Sequence, residues 1–470
     1  MTIIKVLFNY INCLPIRKTY VKYMLKLGIY RNINKLLEEV EKLLKYEVVI
    51  IGGGSSGVEA ALYARSLGMK VAIIEKFRWG GRKVHAGLFK AKQLQKCANV
   101  ALSLREASSS GFDISSFEVD YSRLQNKMFS NAMKHASRIY SELITAGVDC
   151  YAGEASVDVN QIIRIENQAM RAENIILATG SKEKIPDLDG LSKKDFLTID
   201  QLYELNELPH EVTIIGGGLT AAETALSLAP LGTIVTILEN DKDLMLQEDA
   251  EVRYMMKKQL AALNVTMLPN QKNMRATNGK VMLDDIPIHH EHLLIACGTV
   301  GNFEIARDLQ VEIANTYIKV NQNNQTTEDN IYAIGSVTKS SQSAAKKVIH
   351  HILQTTIPYK PQIEVMRIHS TPPILTVGMN ENELHEQVDV FKGTVEMLSE
   401  EVSFEWCKSM VKILIDQEFG EILGAVIIGE NANEIMTKLV KLIQSEGTIE
   451  DFHQMIPSIS VDQPKRNKIV

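Results

Sequence analysis

The sequence feature that most constrains the fold is a glycine-rich loop between a buried strand and a helix, and it occurs twice. In the first copy, YEVVIIGGGSSGVEAALYARSLGMKVAIIEK (46–76), a strand runs into Gly52-x-Gly54-x-x-Gly57, a helix follows, and a second strand ends on Glu75. The first glycine allows a sharp turn, the second lets the backbone approach a pyrophosphate, and the third lets the helix pack closely on the strand. The helix N-terminus stabilises phosphates and the acid accepts ribose hydroxyls, so the segment predicts a dinucleotide site.

The second copy, EVTIIGGGLTAAETALSLAPLGTIVTILEN (211–240), carries Gly216-x-Gly218-x-x-Ala221 and ends its second strand on Glu239. Alanine is an accepted residue at the third position of this motif. The carboxylate of Glu239 would accept ribose hydroxyls and repel a 2′-phosphate, which favours NAD(H) over NADP(H). Two such units predict two dinucleotides facing one another, a hydride donor and an acceptor. The alternative is that one or both loops are scaffolds without a ligand.

Composition narrows the class of protein further. The chain of 470 residues has a net charge of −6, from 51 basic and 57 acidic residues, which argues against a general nucleic-acid binder. Its eleven histidines show no metal-ligand spacing, so we expect no metal site. Five scattered cysteines without a CxxC pattern indicate reduced thiols in a reducing compartment. No apolar run is long enough for a transmembrane segment.

The start of the chain is basic and contains no acid before Glu38. The stretch 33–46 has apolar residues at helical spacing, so we predict a basic helical N-terminal extension over residues 1–45. Such a segment packs on the body of the protein or on a partner chain, or else serves as a mitochondrial presequence or membrane-surface helix. The expected location is therefore the cytoplasm, with the mitochondrial matrix as the alternative.

From residue 46 to the C-terminus the chain resembles the class I pyridine nucleotide–disulfide oxidoreductases, the group of dihydrolipoamide dehydrogenase, mercuric reductase and glutathione reductase. The resemblance rests on the two glycine motifs and on five further segments in the family's order: NIILATGS (174–181), HLLIACGTVGNF (292–303), TTEDNIYAIGSVT (326–338), HSTPPILTVG (369–378) and VKILIDQEFGEILGAVIIGENANEI (411–435).

The resemblance implies an α/β fold with two Rossmann-like dinucleotide-binding domains and a C-terminal α+β dimerisation domain. The implied boundaries are an FAD domain at 46–185 and 300–355, an NAD domain at 186–299, and a dimerisation domain at 356–470. In this family the last domain makes a homodimer, and the N-terminal extension could dock that dimer onto a larger assembly.

The resemblance also implies the residues that bind the two cofactors. For FAD they are Gly52, Gly54, Gly57, Glu75, Gly80, Gly81, Thr179, Gly180, Gly335 and Ser336. For NAD they are Gly216, Gly218, Ala221, Glu239 and Gly298.

The chain departs from the family where the family does its chemistry. In WGGRKVHAGLFKAKQL (79–94), Lys83 and Leu88 occupy the positions of the two redox-active cysteines. Neither side chain forms a thiolate, so thiol–disulfide exchange at these positions is chemically closed. Near the C-terminus, Ile456 and Val461 occupy the positions of the acid–base histidine and of the glutamate that orients it. The two losses agree, because a base for the thiols has no role once the disulfide is gone.

Other positions bear on the flavin. Ser336 stands where the family has an aspartate that binds the ribityl chain, and losing this charged partner is expected to cost about 1.5–3 kcal/mol of FAD affinity. Lys92 matches the lysine near the flavin N5, and Glu223 matches its ion-pair partner, so these two are the candidate catalytic residues.

Three hypotheses follow. The first is a flavoenzyme that passes electrons from NADH through FAD to a quinone, oxygen or another nicotinamide, without a disulfide. The second is a pseudoenzyme that serves as a structural or regulatory subunit. The third and weakest is a basic patch, made of Lys83, His85, Lys90 and Lys92, that binds an anion.

Overall fold

The computed structural model describes residues 43–107, 110–114, 116–277, 279–338, 344–355, 363–381, 388–394, 410–456 and 460–461. Its strands, in chain order, are β1 (Leu44–Ile51), β2 (Val71–Glu75), β3 (Asp149–Ala152), β4 (Ser156–Val157), β5 (Ile162–Ile165), β6 (Gln168–Leu177), β7 (Ser181–Glu183), β8 (Leu197–Thr198), β9 (Glu211–Ile215), β10 (Ile234–Leu238), β11 (Thr266–Leu268), β12 (Met274–Thr277), β13 (Lys280–Leu283), β14 (Ile286–His289), β15 (His292–Ile295), β16 (Thr299–Gly301), β17 (Ile313–Ala314), β18 (Tyr317–Ile318), β19 (Ile331–Ala333), β20 (Val365–Ile368), β21 (Ile374–Gly378), β22 (Val388–Thr394), β23 (Met410–Asp416), β24 (Ile422–Ile428) and β25 (Ser460–Val461).

The helices are α1 (Ser55–Ser66), α2 (Gly81–His85), α3 (Leu88–Ala107), α4 (Tyr121–Ala146), α5 (Ile199–Leu202), α6 (Leu219–Leu228), α7 (Ala250–Ala262), α8 (Glu304–Asp308), α9 (Ala344–Ile352), α10 (Ala432–Gln444) and α11 (Ile449–Met455). Single 3₁₀ turns lie at Ala229–Leu231 and Gly335–Val337. None of the helices in the described ranges is both long enough and apolar enough to cross a lipid bilayer.

The first sheet surrounds β1 and carries the first glycine loop at its edge. Strands β3, β2, β1 and β6 run parallel in that order, β19 is parallel to β6, and β5 and β4 extend the sheet in antiparallel fashion. Along β1, Val48 and Ile50 pack in a core cluster with α1 and α9, whereas Val49 and Ile51 pack in a second cluster on the other face. Both faces are covered, which explains why the strand is apolar without alternation.

The start of β1 corrects one boundary. Residues 1–42 of the predicted extension lie outside the described ranges, but Leu44 and Lys45 belong to β1. They continue its parallel ladder opposite Met170 and Arg171 of β6. The helical pattern predicted over 33–46 is therefore wrong at its last residues, because pairing with a neighbouring strand overrides local helical spacing.

The second sheet repeats the arrangement. Strands β11, β10, β9, β15 and β8 are parallel in that order, and β12, β13 and β14 form a separate antiparallel sheet. The second glycine loop joins β9 to α6, whose inner side is fully buried at Ala221, Ala222 and Ala225. Small residues on that side let the helix lie close to the sheet.

The C-terminal part of the chain forms the sheet that we call the third sheet. It is antiparallel throughout, in the order β20, β21, β24, β23, β22 and β25. One face packs on α10 and α11, with Leu439 and Phe452 fully buried. Ile374 and Ile428 join the core cluster that contains Leu226 of α6. The third sheet therefore packs on the second unit, and the end of β20 lies beside α6. These three sheets confirm the predicted fold class: two Rossmann-like units followed by an α+β domain.

Candidate functional site

The first glycine loop meets steric requirements that differ from one glycine to the next. Gly52 has φ of +116°, and a Cβ on it would lie 2.1 Å from the carbonyl oxygen of Ala178. A Cβ on Gly57 would lie 2.0 Å from the carbonyl oxygen of Gly52. Gly54, in contrast, has no protein atom within 4 Å of the corresponding position. Gly52 and Gly57 are therefore required by the fold, whereas Gly54 leaves open space at the first turn of α1.

Glu75 organises this loop from the end of β2. Its Oε2 accepts a hydrogen bond from the backbone N–H of Gly53 (2.7 Å), and its Oε1 accepts one from the backbone N–H of Phe77 (2.8 Å). The side chain is largely buried but still lines the cavity next to the loop. Its carboxylate is thus held at the cavity wall by backbone donors.

A cavity of about 870 Å³ extends from this loop. It is lined by every residue predicted to bind FAD except Gly57, which lies behind the loop: Gly52, Gly54, Glu75, Gly80, Gly81, Thr179, Gly180, Gly335 and Ser336. Ser336 is exposed on its 3₁₀ turn. The structure therefore brings together segments that are nearly 300 residues apart in the chain, and the cavity has the size of a cofactor site.

The start of α1 shows whether the pyrophosphate of a dinucleotide would fit beside the first glycine loop. Gly54 caps α1 without a side-chain hydrogen bond, so the first N–H groups of the helix are not capped by that residue. These N–H groups and the helix dipole favour a negatively charged group. Open space at Gly54 and uncapped donors behind it fit a pyrophosphate.

The second glycine loop has the same division of roles. Gly216 has φ of +107°, and its Cβ would lie 2.5 Å from the carbonyl oxygen of Ala296, whereas Gly218 has no atom within 4 Å. Ala221 is fully buried, and Glu239 accepts hydrogen bonds from the backbone N–H groups of Gly217 and Asp241. This loop fits a second pyrophosphate by the same criteria.

A smaller cavity of about 360 Å³ lies between the end of β15, α6 and the loop that joins α2 to α3. Of the residues predicted to bind NAD, only Gly298 lines it. Its wall includes Thr220, Glu223 and Thr224 of α6. Arg82 and Lys83 line both cavities, so the two cavities meet at α2.

Arg82 is held at this junction by two carboxylates. Its guanidinium donates to Asp200 through Nε (2.9 Å) and Nη2 (2.9 Å), and Nη2 also donates to Glu183. Such a two-pronged contact restricts the orientation of the planar guanidinium group. Arg82 therefore ties α2 to α5 and β7 where the cavities meet.

The structure corrects the predicted Lys92–Glu223 ion pair. Glu223 instead bonds His369, which directly follows β20: Oε1 accepts from the backbone N–H of His369 (2.7 Å) and lies 2.8 Å from its Nδ1. Lys92 lies exposed on α3, while Lys90, two residues earlier, is only 5% exposed. Burial lowers the pKa of Lys90. Residues two apart on a helix point in nearly opposite directions, so the helical phase turns Lys92 away from Glu223.

The four residues of the hypothetical basic patch also differ in burial, so the patch is not continuous. Lys83 and Lys92 are exposed, Lys90 is buried, and His85 is half-buried with its Nε2 3.0 Å from the carbonyl oxygen of Trp79. These four side chains do not form one continuous basic surface, which weighs against the anion-binding hypothesis.

Comparison with known proteins identifies the family. Residues 46–354 match the family described as pyridine nucleotide-disulphide oxidoreductase, and residues 366–459 match the dimerisation domain of the same family. The chain belongs to this family. The family binds FAD and NAD(P)H, and its dimerisation domain supports a homodimer.

Several relatives resemble the chain over most of its length. It is 27% identical to dihydrolipoyl dehydrogenase of Bacillus subtilis, over 84% of this chain and 90% of the relative. It is 25% identical to mercuric reductase of Staphylococcus aureus, over 87% of this chain and 78% of the relative. The solved structure of LpdA from Mycobacterium tuberculosis matches with a TM-score of 0.76 at 21% identity, covering 88% of this chain and 96% of that one. The likeness to LpdA concerns the fold.

Within this pyridine nucleotide–disulphide oxidoreductase, Lys83 is an exposed residue of α2 and Leu88 begins α3. Burial raises the pKa of all three described cysteines: Cys97, and Cys150 and Cys297 to about 11. A raised pKa keeps each thiol protonated at neutral pH and therefore a poor nucleophile. Cys13 and Cys407 lie outside the described residues.

The two C-terminal positions carry apolar side chains. Ile456 is buried at the C-terminal end of α11, and Val461 belongs to the two-residue strand β25. Residues 457–459 of the same segment lie outside the described ranges.

Sequence reasoning missed two residues at this site. His369 and Arg82 reach their partners through the tertiary fold: His369 is 146 residues from Glu223, and Arg82 is 118 residues from Asp200. His369 stood in a segment matched to the dimerisation domain, and no local spacing connects it with the second glycine motif. The sequence contained no signal that could have paired them.

Proposed function

We propose that this protein is an FAD-dependent oxidoreductase that passes electrons from NADH to an acceptor other than a disulfide. What supports the proposal most strongly is that Arg82 and Lys83 line both cavities, so the cavity at the first glycine loop adjoins the cavity beside α6. A hydride path requires adjoining sites of this kind.

Different residues of the chain would bind FAD and NADH. Uncapped N–H groups at the start of α1, next to Gly54, would bind the FAD pyrophosphate, and Glu75 would accept ribose hydroxyls. Gly218 and Glu239 would do the same for NADH, with the negative charge of Glu239 disfavouring a 2′-phosphate. Bound FAD would supply the capacity to accept a hydride and release its electrons in one- or two-electron steps.

Disulfide chemistry is absent from the proposal because Lys83 and Leu88 carry no sulfur. The described thiols have raised pKa values, so none offers a ready thiolate in their place. Ile456 and Val461 likewise supply neither a base nor a group to orient one.

We propose the corresponding domain roles: residues 46–185 with 300–355 bind FAD, 186–299 bind NADH, and 356–470 form the homodimer interface. Residues 1–43, which precede β1, would extend the dimer towards a larger assembly.

A second candidate function is a catalytically inactive structural or regulatory subunit. It is favoured by Arg82, which two carboxylates hold at the junction of the cavities, and by Ser336, which offers the FAD site no charge. A fixed guanidinium group at the junction would separate the two sites rather than connect them.

The visible absorption spectrum of the purified protein, recorded before and after anaerobic addition of NADH, distinguishes the candidates. The proposed oxidoreductase gives a flavin spectrum that bleaches on addition of NADH. A flavin spectrum that persists assigns FAD a structural role and contradicts the proposed electron path. A colourless protein that does not take up added FAD supports the inactive subunit.

A further inference from the structure

We infer that His369 and Glu223 form an acid–base pair at the smaller cavity, which supplies a proton to a small planar organic acceptor as that acceptor gains electrons, the acceptor entering the cavity after NAD⁺ has left it. The inference rests on the proposed function and deepens it, because it assigns the proton source that the family positions at Ile456 and Val461 no longer provide.

Glu223 fixes the orientation of the His369 imidazole ring. One carboxylate oxygen, Oε1 of Glu223, is 2.7 Å from the backbone N and 2.8 Å from Nδ1 of His369. An ionised carboxylate only accepts hydrogen bonds, so Nδ1 carries the proton that bonds it. This leaves Nε2 as the atom that takes up and releases a proton.

Nε2 of His369 is buried and has no hydrogen-bond partner among the described residues. The His369 side chain as a whole is about nine-tenths buried, at 10% exposure. A buried polar atom without a partner costs about 1–3 kcal/mol. Unsatisfied buried groups of this kind need an explanation, and a polar group of a bound ligand would provide one.

His369 and Glu223 lie at the wall of the smaller cavity. The side chains of Ile199 and Ile295 give this cavity of about 360 Å³ apolar surface. The cavity suits a small ring system rather than a polymer. Four further titratable groups line it: Arg82 and Lys83 of α2, Glu183 of β7, and Tyr203 just after α5. Burial raises the pKa of Tyr203, with the charge of Glu223 as a second cause, which keeps this phenol protonated.

The chemistry requires such a proton source. Reduction of a quinone to a hydroquinone consumes two electrons and two protons: NADH + H⁺ + quinone → NAD⁺ + hydroquinone. NADH supplies two electrons and one proton as a hydride equivalent. His369 Nε2–H would give the second proton to the quinone oxygen and would be reprotonated from solvent, with Glu223 stabilising the imidazolium.

The test compares two acceptors that differ in their need for protons. Menadione takes up protons when it is reduced, whereas ferricyanide takes up electrons alone. His369→Gln should lower kcat for NADH-dependent menadione reduction about 100-fold or more, and leave ferricyanide reduction within about twofold. The matched control is His453→Gln, which removes an exposed histidine of α11 and should change neither rate.

Glu223→Gln adds a second activity readout. Glutamine keeps the length of the side chain but carries no charge, so it can orient the ring of His369 without stabilising an imidazolium, and menadione reduction should fall much further than ferricyanide reduction. A variant that acted only on packing would lower both rates alike.

A third readout needs no enzyme activity. In protein labelled with ¹⁵N-histidine, the ring signals missing from His369→Gln identify His369 by NMR, and they should show the neutral form protonated at Nδ1. The neutral form protonated at Nε2 overturns the inference, as does an equal loss of both acceptor activities in His369→Gln or no loss of menadione reduction. If the wild-type protein reduces neither acceptor, the proposed function fails first and this inference fails with it.

Discussion

At the scale of single residues, the two glycine loops separate what the fold requires from what a ligand requires. Gly52, Gly57 and Gly216 cannot carry a Cβ without meeting backbone carbonyl oxygens at 2.0–2.5 Å. Gly54 and Gly218 meet no atom within 4 Å, and their φ angles of −72° and −74° suit any residue. Packing therefore does not explain the absence of a side chain at these two positions, and we propose that a bound group needs the space.

Gly54→Ala should separate binding from stability. We expect FAD affinity to fall at least tenfold, because the new methyl group occupies the space next to the pyrophosphate, while the free energy of unfolding changes by less than about 1 kcal/mol. FAD titration followed by fluorescence and urea unfolding of the FAD-free protein measure the two quantities. Gly57→Ala is the matched variant, and it should destabilise the protein by at least about 1–3 kcal/mol. Equal FAD affinity in wild type and Gly54→Ala contradicts the assignment of this loop.

Ser336→Asp tests the position where the chain lacks the family's aspartate. A carboxylate there can accept a charge-assisted hydrogen bond from the ribityl hydroxyls, so FAD affinity should rise about ten- to a hundredfold. The dissociation constant from FAD titration is the measurement. Ser336→Asn, which is similar in size but neutral, should gain much less. An unchanged or weaker affinity in Ser336→Asp would show that FAD does not contact this position.

At the scale of secondary-structure elements, the segment where the family has its cysteines spans α2 and the start of α3, and it packs on α4. The ring of Trp79 packs against Tyr140 of α4 with centroids 5.5 Å apart, and Phe89 stacks on His135 at 5.3 Å. His85 at the end of α2 bonds the carbonyl of Trp79. Side-chain packing and hydrogen bonding therefore hold this segment in place without any covalent link.

His85 should make stability depend on pH. Burial lowers the pKa of His85 below its ordinary value of 6.5, and the nearby charges of Arg78 and Lys90 lower it further. The unfolded chain therefore binds more protons than the native protein as the pH falls through about 6.5, and the free energy of unfolding decreases in that range. His290 acts in the same direction, since burial lowers its pKa as well.

Urea unfolding at pH 7.5 and pH 5.5 measures this effect. His85→Asn should lose less stability between the two pH values than the wild type does, because a histidine whose pKa is lowered in the folded protein is gone. His453→Asn, at an exposed position, serves as the control and should behave like the wild type. The same pH dependence in all three proteins would contradict the role given to His85.

At the scale of the whole molecule, a buried ion cluster joins the third sheet to the second unit. Lys412 of β23 is fully buried, and its Nζ lies 2.9 Å from Asp249, 2.9 Å from Glu251 and 2.6 Å from Glu381. Burial by itself would lower the pKa of Lys412, but hydrogen bonds to Glu381, Asp249 and Glu251 outweigh it and raise the pKa. The lysine therefore stays charged and neutralises part of a group of carboxylates in which Asp249 is buried and Glu251 and Glu381 are partly buried.

Lys412→Met should destabilise the protein strongly. Removal of the cation leaves three carboxylates close together with no positive charge among them, and breaking a buried ion pair in this way costs about 3–5 kcal/mol. Lys438→Met removes a partly exposed lysine paired with the exposed Glu434 one turn away on α10, and should cost less than about 1 kcal/mol. Chemical unfolding at a fixed protein concentration compares the two. Similar costs for both variants would mean that the cluster does not stabilise the packing of the third sheet.

The sequence by itself determined the features that depend on local backbone requirements. The sharp turns at Gly52 and Gly216, the close packing at Gly57 and Ala221, and the acids at the ends of β2 and β10 follow from residue types at fixed spacing. They predicted both dinucleotide units, whereas the C-terminal α+β domain was expected from the resemblance to the family. The loss of sulfur at Lys83 and Leu88 is likewise visible in the sequence alone.

Only the tertiary structure decided which side chains meet. Glu223 bonds His369 rather than Lys92, because the third sheet packs on α6 and places the end of β20 beside it, while the phase of α3 turns Lys92 to solvent. Arg82 reaches Asp200 and Glu183 because the fold brings α2 beside α5 and β7. Contacts between residues more than 100 positions apart depend on how sheets and helices pack, and no local pattern in the sequence encodes that packing.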